Sequence, residues 1–172
     1  PVMPSMPADE LPTQIDRAVS VTVRSFDSGR HLQKRYILER LLGKGGMGIV
    51  WLARDEHLNR QVALKFLPEA LSHDSAAIDE LKRETKKSLA LTHPHIVRVY
   101  DFLQDSDWVC LSMEYVDGGS LLSKRVEKVN RVFEVEEQAP WTAQLCDALG
   151  YAHEKARLVH RDLKPANVKV TS

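Results

Sequence analysis

Leu42-Gly43-Lys44-Gly45-Gly46-Met47-Gly48-Ile49-Val50 is the stretch on which the fold turns. Four of the eight glycines fall within residues 43–48. Gly43, Gly45 and Gly48 fit G-x-G-x-x-G, where missing Cβ atoms permit a tight turn and let backbone N–H groups approach phosphate oxygens. That spacing alone leaves a phosphate-binding loop and a flexible hairpin about equally open. The residues just after the loop decide the local fold. A dinucleotide-binding turn needs a helix next, whereas Ile49-Val50-Trp51-Leu52 is β-branched, aromatic and short. The loop therefore joins two strands, and its phosphate-binding reading is a flap over phosphates, not a helix N-terminus.

Residues 36–42 before the loop are apolar and strand-like. Residues 49–54 and 61–67 after it give two more strands, joined by polar Asp55-Glu56-His57-Leu58-Asn59-Arg60. Ile78, Leu81, Thr85 and Leu89 then recur at helical spacing, with Asp74 or Ser75 able to cap the start. Thr92-His93-Pro94 ends that helix, because the residue before proline is pushed out of the helical region. Residues 96–102 and 108–116 read as strands four and five. Beyond Asp117-Gly118-Gly119 the chain turns helical: residues 120–126 with Ser120 as cap, then 137–155 with Trp141, Leu145, Leu149 and Ala152 on one face and Pro140 near the first turn. Pro1, Pro4, Pro7 and Pro12 mark residues 1–31 as an extended leader, in which Val19, Val21 and Val23 could add a short edge strand.

Composition bounds the function. The 172 residues are 43% hydrophobic and 28% charged, a globular balance, and the length suits one small domain. Lys plus Arg and Asp plus Glu are 24 each, for a net charge of zero, which argues against a protein held on nucleic acid by bulk charge. No apolar run approaches the roughly 20 residues that span a bilayer. Cys110 and Cys146 form no disulfide framework and, lacking Cys-His spacing, no zinc site, so a reducing, cytoplasmic setting is the simplest reading.

Two further stretches carry chemistry. Val62-Ala63-Leu64-Lys65 places a lysine among apolar residues. Such a lysine is usually an edge or snorkelling residue unless a partner fixes its ammonium group. Glu84 is a candidate partner, although its neighbours Lys82, Arg83, Lys86 and Lys87 favour a surface acid in local helix pairs. His160-Arg161-Asp162-Leu163-Lys164-Pro165-Ala166-Asn167 sets Asp, Lys and Asn at i, i+2 and i+5 in a loop after a helix. His93-Pro94-His95 lacks a third metal ligand and reads as a helix-ending turn. Cys110 reads as a buried apolar side chain, and Trp141 as core.

Together G-K-G-G-M-G-I-V at 43–50, V-A-L-K at 62–65 and H-R-D-L-K-P-A-N at 160–167 resemble the protein kinases, specifically the bacterial relatives of eukaryotic Ser/Thr kinases. Order and context agree: flap between two strands, lysine on the third, a helix next, catalytic loop after a long helix. The resemblance covers residues 36–172. It implies an α+β, protein-kinase-like fold, with a five-stranded antiparallel ATP-binding lobe over 32–116 and a partial helical lobe over 117–172.

The resemblance also implies roles. Leu42, Gly43, Lys44, Gly45, Gly46 and Gly48 would form the flap over the ATP phosphates, and Val50 and Ala63 would line the adenine pocket. Lys65 would hold the α- and β-phosphates, fixed by an ion pair with Glu84. Met113 would be the gatekeeper, Glu114-Tyr115-Val116 the hinge, and Asp117 a contact to ribose. Asp162 would take the proton of a protein Ser or Thr hydroxyl, Lys164 would neutralise the γ-phosphate, and Asn167 would hold Mg²⁺ or Mn²⁺. Arg161 implies control by a phosphorylated activation loop.

The family pattern continues to D-F-G, whose Asp holds Mg²⁺, and to A-P-E; neither occurs in these 172 residues. The expectation is a lobe and a half of a Ser/Thr kinase, able to hold ATP but without appreciable transfer by itself. The alternatives are a catalytically incomplete ATP-binding or regulatory module, and an interaction unit that self-associates through the exposed apolar face of the partial second lobe.

Overall fold

The computed structural model describes residues 26–45 and 48–171. Its main element is one antiparallel sheet in the order β1-β2-β3-β4-β6-β5. The strands are β1 (His31–Leu32), β2 (Tyr36–Gly45), β3 (Gly48–Asp55), β4 (Arg60–Phe66), β5 (Val99–Gln104) and β6 (Val109–Glu114). Helices α1 (Glu69–Ser72) and α2 (Ser75–Leu89) interrupt the sheet between β4 and β5. A two-stranded ribbon, β7 (Gly119–Ser120) with β8 (Lys169–Val170), brackets α3 (Leu121–Glu127), α4 (Val135–Ala156) and a 3₁₀ turn at Pro165–Asn167.

Strand periodicity divides the sheet into two functional faces. Ile49, Trp51, Ala53, Val62, Leu64, Phe66 and Cys110 point one way and form the buried core with Tyr36 and Leu38. Their neighbours Val50, Leu52, Ala63, Lys65, Leu111 and Met113 point the other way, because successive side chains in a strand alternate between faces. Burial also raises the Cys110 thiol well above its usual pKa, which keeps it an inert apolar side chain.

The helix caps follow local chemistry. Asp74 accepts a hydrogen bond from the Ala77 N–H at 3.0 Å and starts α2, and the Ser120 hydroxyl accepts from the Ser123 N–H at 3.0 Å to start α3. Glu134 and Glu137 form a reciprocal capping box on α4. That box begins α4 at Val135, two residues earlier than periodicity predicts, so Pro140 lies in the second turn and not the first.

The sheet has a sixth strand that the sequence reading lacks. Leu32 is buried and β1 pairs with β2 through His31↔Ile37 and Leu32↔Tyr36. Phe26 is also buried, with its ring centroid 4.3 Å from that of Phe66. The chain thus joins the core before residue 31. Val19, Val21 and Val23 lie outside the described residues.

The turn after α2 fastens the sheet to the helical part. The His93 ring packs 4.9 Å from that of Tyr151, and its Nε2 lies 3.1 Å from Asp147 Oδ2. Nδ1 accepts the His95 N–H at 3.2 Å. Both ring nitrogens are therefore occupied by structure, as a helix-ending turn requires. Along α4 only Ala148 is fully buried, and Trp141, Leu145, Leu149 and Ala152 stay half-exposed. Among the described residues no helix is long and apolar enough to cross a membrane.

Candidate active site

The non-core face of the sheet lines up the residues singled out from sequence. Val50 pairs with Gly43 on one side and with Lys65 on the other, and Lys65 pairs with Leu111. The next row joins Leu52, Ala63 and Met113. Gly43, Val50, Leu52, Ala63, Lys65, Leu111 and Met113 therefore share one surface by strand register alone. Leu42 and Lys44 lie in β2, with Lys44 opposite Ile49. Gly46 lies outside the described residues.

The flap glycines are not equivalent. Gly48 has φ of +114°, and a Cβ there would meet the Phe66 carbonyl oxygen at 1.9 Å. Gly43 and Gly45 have open space around the same position. Gly48 is thus required by packing on β4, and Gly43 and Gly45 are the two left free to approach a ligand.

Behind them, burial lowers the Lys65 pKa; the charge of Asp162 partly restores it and that of Lys164 lowers it further. The ammonium group therefore senses the charges of the loop over residues 160–167. Among the described residues no Lys65–Glu84 ion pair falls within 4 Å. Glu84 Oε1 instead lies 3.8 Å from Arg161 Nη1. Arg161 sits at φ +59°, a left-handed conformation that turns the loop at this point, and Glu84 stays on the outward side of a helix that packs on β5. The side chains are 78% and 50% exposed, so water and ions screen the pair. Arg161→Ala is accordingly expected to shift unfolding stability by less than about 0.5 kcal/mol in a urea titration.

Asp162, Lys164 and Asn167 converge. Lys164 Nζ lies 2.9 Å from Asp162 Oδ2. Asn167 Nδ2 donates to the same oxygen at 2.9 Å and to the Asp162 carbonyl at 2.8 Å. Hydrogen bonds from Lys164 and then Asn167 hold the Asp162 carboxyl below its usual pKa, so it is ionised at neutral pH. With both bonds made through Nδ2, the Asn167 side-chain oxygen is the atom left for a hard cation, which prefers oxygen ligands.

Between the two parts, the Glu114 N–H donates to the Arg98 carbonyl at 2.8 Å. Val116 keeps its backbone N–H and C=O without a protein partner among the described residues. Gly118, at φ +140°, lets the chain pass Val170, whose carbonyl oxygen would lie 2.3 Å from an added Cβ. One side chain that sequence reasoning missed, Arg40, meets the hinge here. Arg40 donates to the Tyr115 hydroxyl at 3.0 Å, and that hydroxyl donates to Asp117 Oδ1 at 3.1 Å. Arg40 belongs to no motif, so nothing in the sequence marked it.

Residues 36–171 match the family model described as Protein kinase domain. The serine/threonine-protein kinase PrkC of Bacillus subtilis is 35% identical over 142 residues, covering 83% of this chain and 22% of that protein. Serine/threonine-protein kinase PknB of Mycobacterium leprae is 36% identical over 146 residues, covering 83% and 23%. The chain thus spans about a fifth of the length of these relatives. The crystal structure of the Mycobacterium tuberculosis PknI kinase domain aligns with a TM-score of 0.76 at 33% identity, covering 86% of this chain and 59% of that domain.

Proposed function

The chain belongs to the protein kinase family, and from that premise we propose that it supplies the ATP site and catalytic loop of a bacterial-type serine/threonine protein kinase acting on protein hydroxyls. The observation that carries this reading is the convergence of Lys164 and Asn167 on the Asp162 carboxylate, within electrostatic reach of Lys65 on the sheet face.

Phosphoryl transfer asks a protein for positioning and for cations around developing charge, with little covalent chemistry. Val50, Ala63 and Met113 give adenine an apolar slot, and the free backbone groups of Val116 give it an edge to hydrogen-bond. Gly43 and Gly45 leave room for phosphates beneath β2. Lys65 neutralises the α- and β-phosphates, and Lys164 moves its charge from Asp162 toward the γ-phosphate. The substrate hydroxyl oxygen attacks the γ-phosphorus, the bond to the ADP oxygen breaks, and the hydroxyl proton passes to Asp162. Mg²⁺, held by the Asn167 oxygen and phosphate oxygens, would offset the remaining negative charge.

One observation favours a narrower reading of these 172 residues. Among the described residues Lys65 makes no ion pair within 4 Å, and Glu84 is turned toward Arg161 in a weak, exposed contact, so the acid does not fix the lysine in this arrangement. The chain by itself is then a nucleotide-binding unit without turnover. Calorimetric titration with ATP should show saturable binding that strengthens with Mg²⁺, and Lys65→Met should weaken it about tenfold or more, the loss of a buried charge-assisted contact. Incubation with γ-labelled ATP and a Ser/Thr-rich protein should leave no labelled product. Absence of any ATP binding would overturn the assignment of the site. Labelled product would overturn the narrower reading alone.

A further inference from the structure

The hinge carries a polar relay that the ATP-site assignment does not use. Arg40 on β2 reaches across to the Tyr115 hydroxyl, and the hydroxyl directs its proton to Asp117 Oδ1. The direction is fixed by chemistry: guanidinium only donates, carboxylate only accepts, and the phenol between them does both. Donation by a cation polarises the phenolic O–H and strengthens its bond to the carboxylate. Asp117 Oδ2 has no protein partner among the described residues. The relay therefore pins one oxygen of an exposed carboxylate and leaves the other without a protein partner, beside the hinge.

We propose that Arg40 and Tyr115 are positioning residues that hold Asp117 against the sugar of the nucleotide and make the site select ribose over deoxyribose. The inference rests on the ATP-site reading, in which Asp117 meets the ribose, and adds the two side chains that position that carboxylate. A ribose hydroxyl donates to the free Asp117 oxygen, and a deoxyribose has nothing to donate there. Released from Tyr115, the Asp117 side chain would sample several rotamers in water and lose its preference. The relay also ties β2, which carries the flap, to the hinge, so the same two bonds set the width of the sugar entrance.

Exposure limits the size of the effect. A deeply buried group that loses its hydroxyl partner can discriminate by factors above about 10⁴. Asp117 and Arg40 face solvent, so water replaces a missing hydroxyl, and the expected preference is about threefold to tenfold.

The test uses the 172-residue chain, with ATP, 2′-deoxy-ATP and 3′-deoxy-ATP in excess Mg²⁺ as calorimetric probes. The wild-type chain should bind ATP about threefold to tenfold more tightly than at least one deoxynucleotide. Tyr115→Phe, which keeps the ring and removes only the hydroxyl, should bring that ratio close to one, as should Arg40→Gln and Asp117→Ala. A merely structural role for Tyr115 would weaken all three nucleotides alike and leave the ratio unchanged, which overturns the inference. Equal wild-type affinity for the three nucleotides also overturns it while leaving the ATP site standing. A chain that binds none of them defeats the ATP site and the relay together.

Discussion

Gly48→Ala is expected to be among the most damaging single substitutions in the sheet, lowering unfolding stability by about 3 kcal/mol or more. Two costs add. A backbone at φ +114° lies where side chains are rarely tolerated, and strain of that kind costs about 1–3 kcal/mol. The new methyl would also start 1.9 Å from the Phe66 carbonyl oxygen and 3.0 Å from its carbon. Neither atom can rotate away, because Phe66 is fully buried and its backbone is laddered to Ile49 and Cys110. Relief requires β3 to part from β4, and the core that joins Ile49, Trp51 and Phe66 opens with it. Domains of this kind hold only about 5–15 kcal/mol in total, so the loss is a large fraction of the fold. Gly43→Ala and Gly45→Ala meet nothing within 4 Å and should move the urea midpoint little while weakening ATP binding. A Gly48→Ala midpoint equal to wild type would sink the packing argument. The triplet that looks uniform in sequence thus divides into one glycine for the fold and two for the ligand.

That division shows what the sequence could and could not disclose. Strand register was readable because alternation is local: Val62 and Leu64 fall on the core face and Ala63 and Lys65 on the other whatever lies beyond the sheet. The Asp74 and Ser120 caps were readable for the same reason, since each side chain serves a backbone N–H three residues on. The partner of Glu84 was not. Periodicity places Glu84 on a helix but leaves open how that helix is rotated against the sheet, so the sequence offered Lys65 and the helix neighbours Lys82, Arg83, Lys86 and Lys87 as partners and not Arg161. Only the fold shows that Lys65 lies within electrostatic reach of Asp162 and that Arg161 reaches α2. The Arg40–Tyr115–Asp117 relay was hidden because it joins a strand without a motif to the hinge. The packing of Phe26 on Phe66 was hidden because two isolated apolar residues, Phe26 and Leu32, make no periodic pattern.

The same logic of local geometry with distant consequence applies to Asp55, where the second large effect is expected. Asp55 ends β3, and its side chain has no solvent exposure. Arg35 grips it from two nitrogens, Nε at 3.0 Å and Nη2 at 2.7 Å, and the N–H groups of His57 and Leu58 donate to Oδ1 at 3.1 and 3.3 Å. One carboxylate thus ties the chain before β2 to the turn between β3 and β4. Asp55→Ala would strand the guanidinium and two turn N–H groups, for a cost of about 3 kcal/mol, the lower end for breaking a buried pair. The lower end applies because Arg35 is 27% exposed and keeps Asp101 at 3.8 Å. The Arg35 hydrogen bond holds the Asp55 carboxyl below its usual pKa, outweighing the opposing effect of burial. The folded state therefore binds this proton less readily than the unfolded chain does. The stabilisation is complete above the ordinary aspartate pKa of about 4 and disappears as pH falls through that value toward the lower folded one. Asp55→Asn cannot ionise, so the stability gap between it and wild type should be widest near neutrality and should close below about pH 4. Urea melts of both proteins between neutrality and about pH 3 read this linkage directly. A gap of constant size across that range would mean that the Asp55 charge contributes nothing, and that the site is held by shape and backbone hydrogen bonds alone.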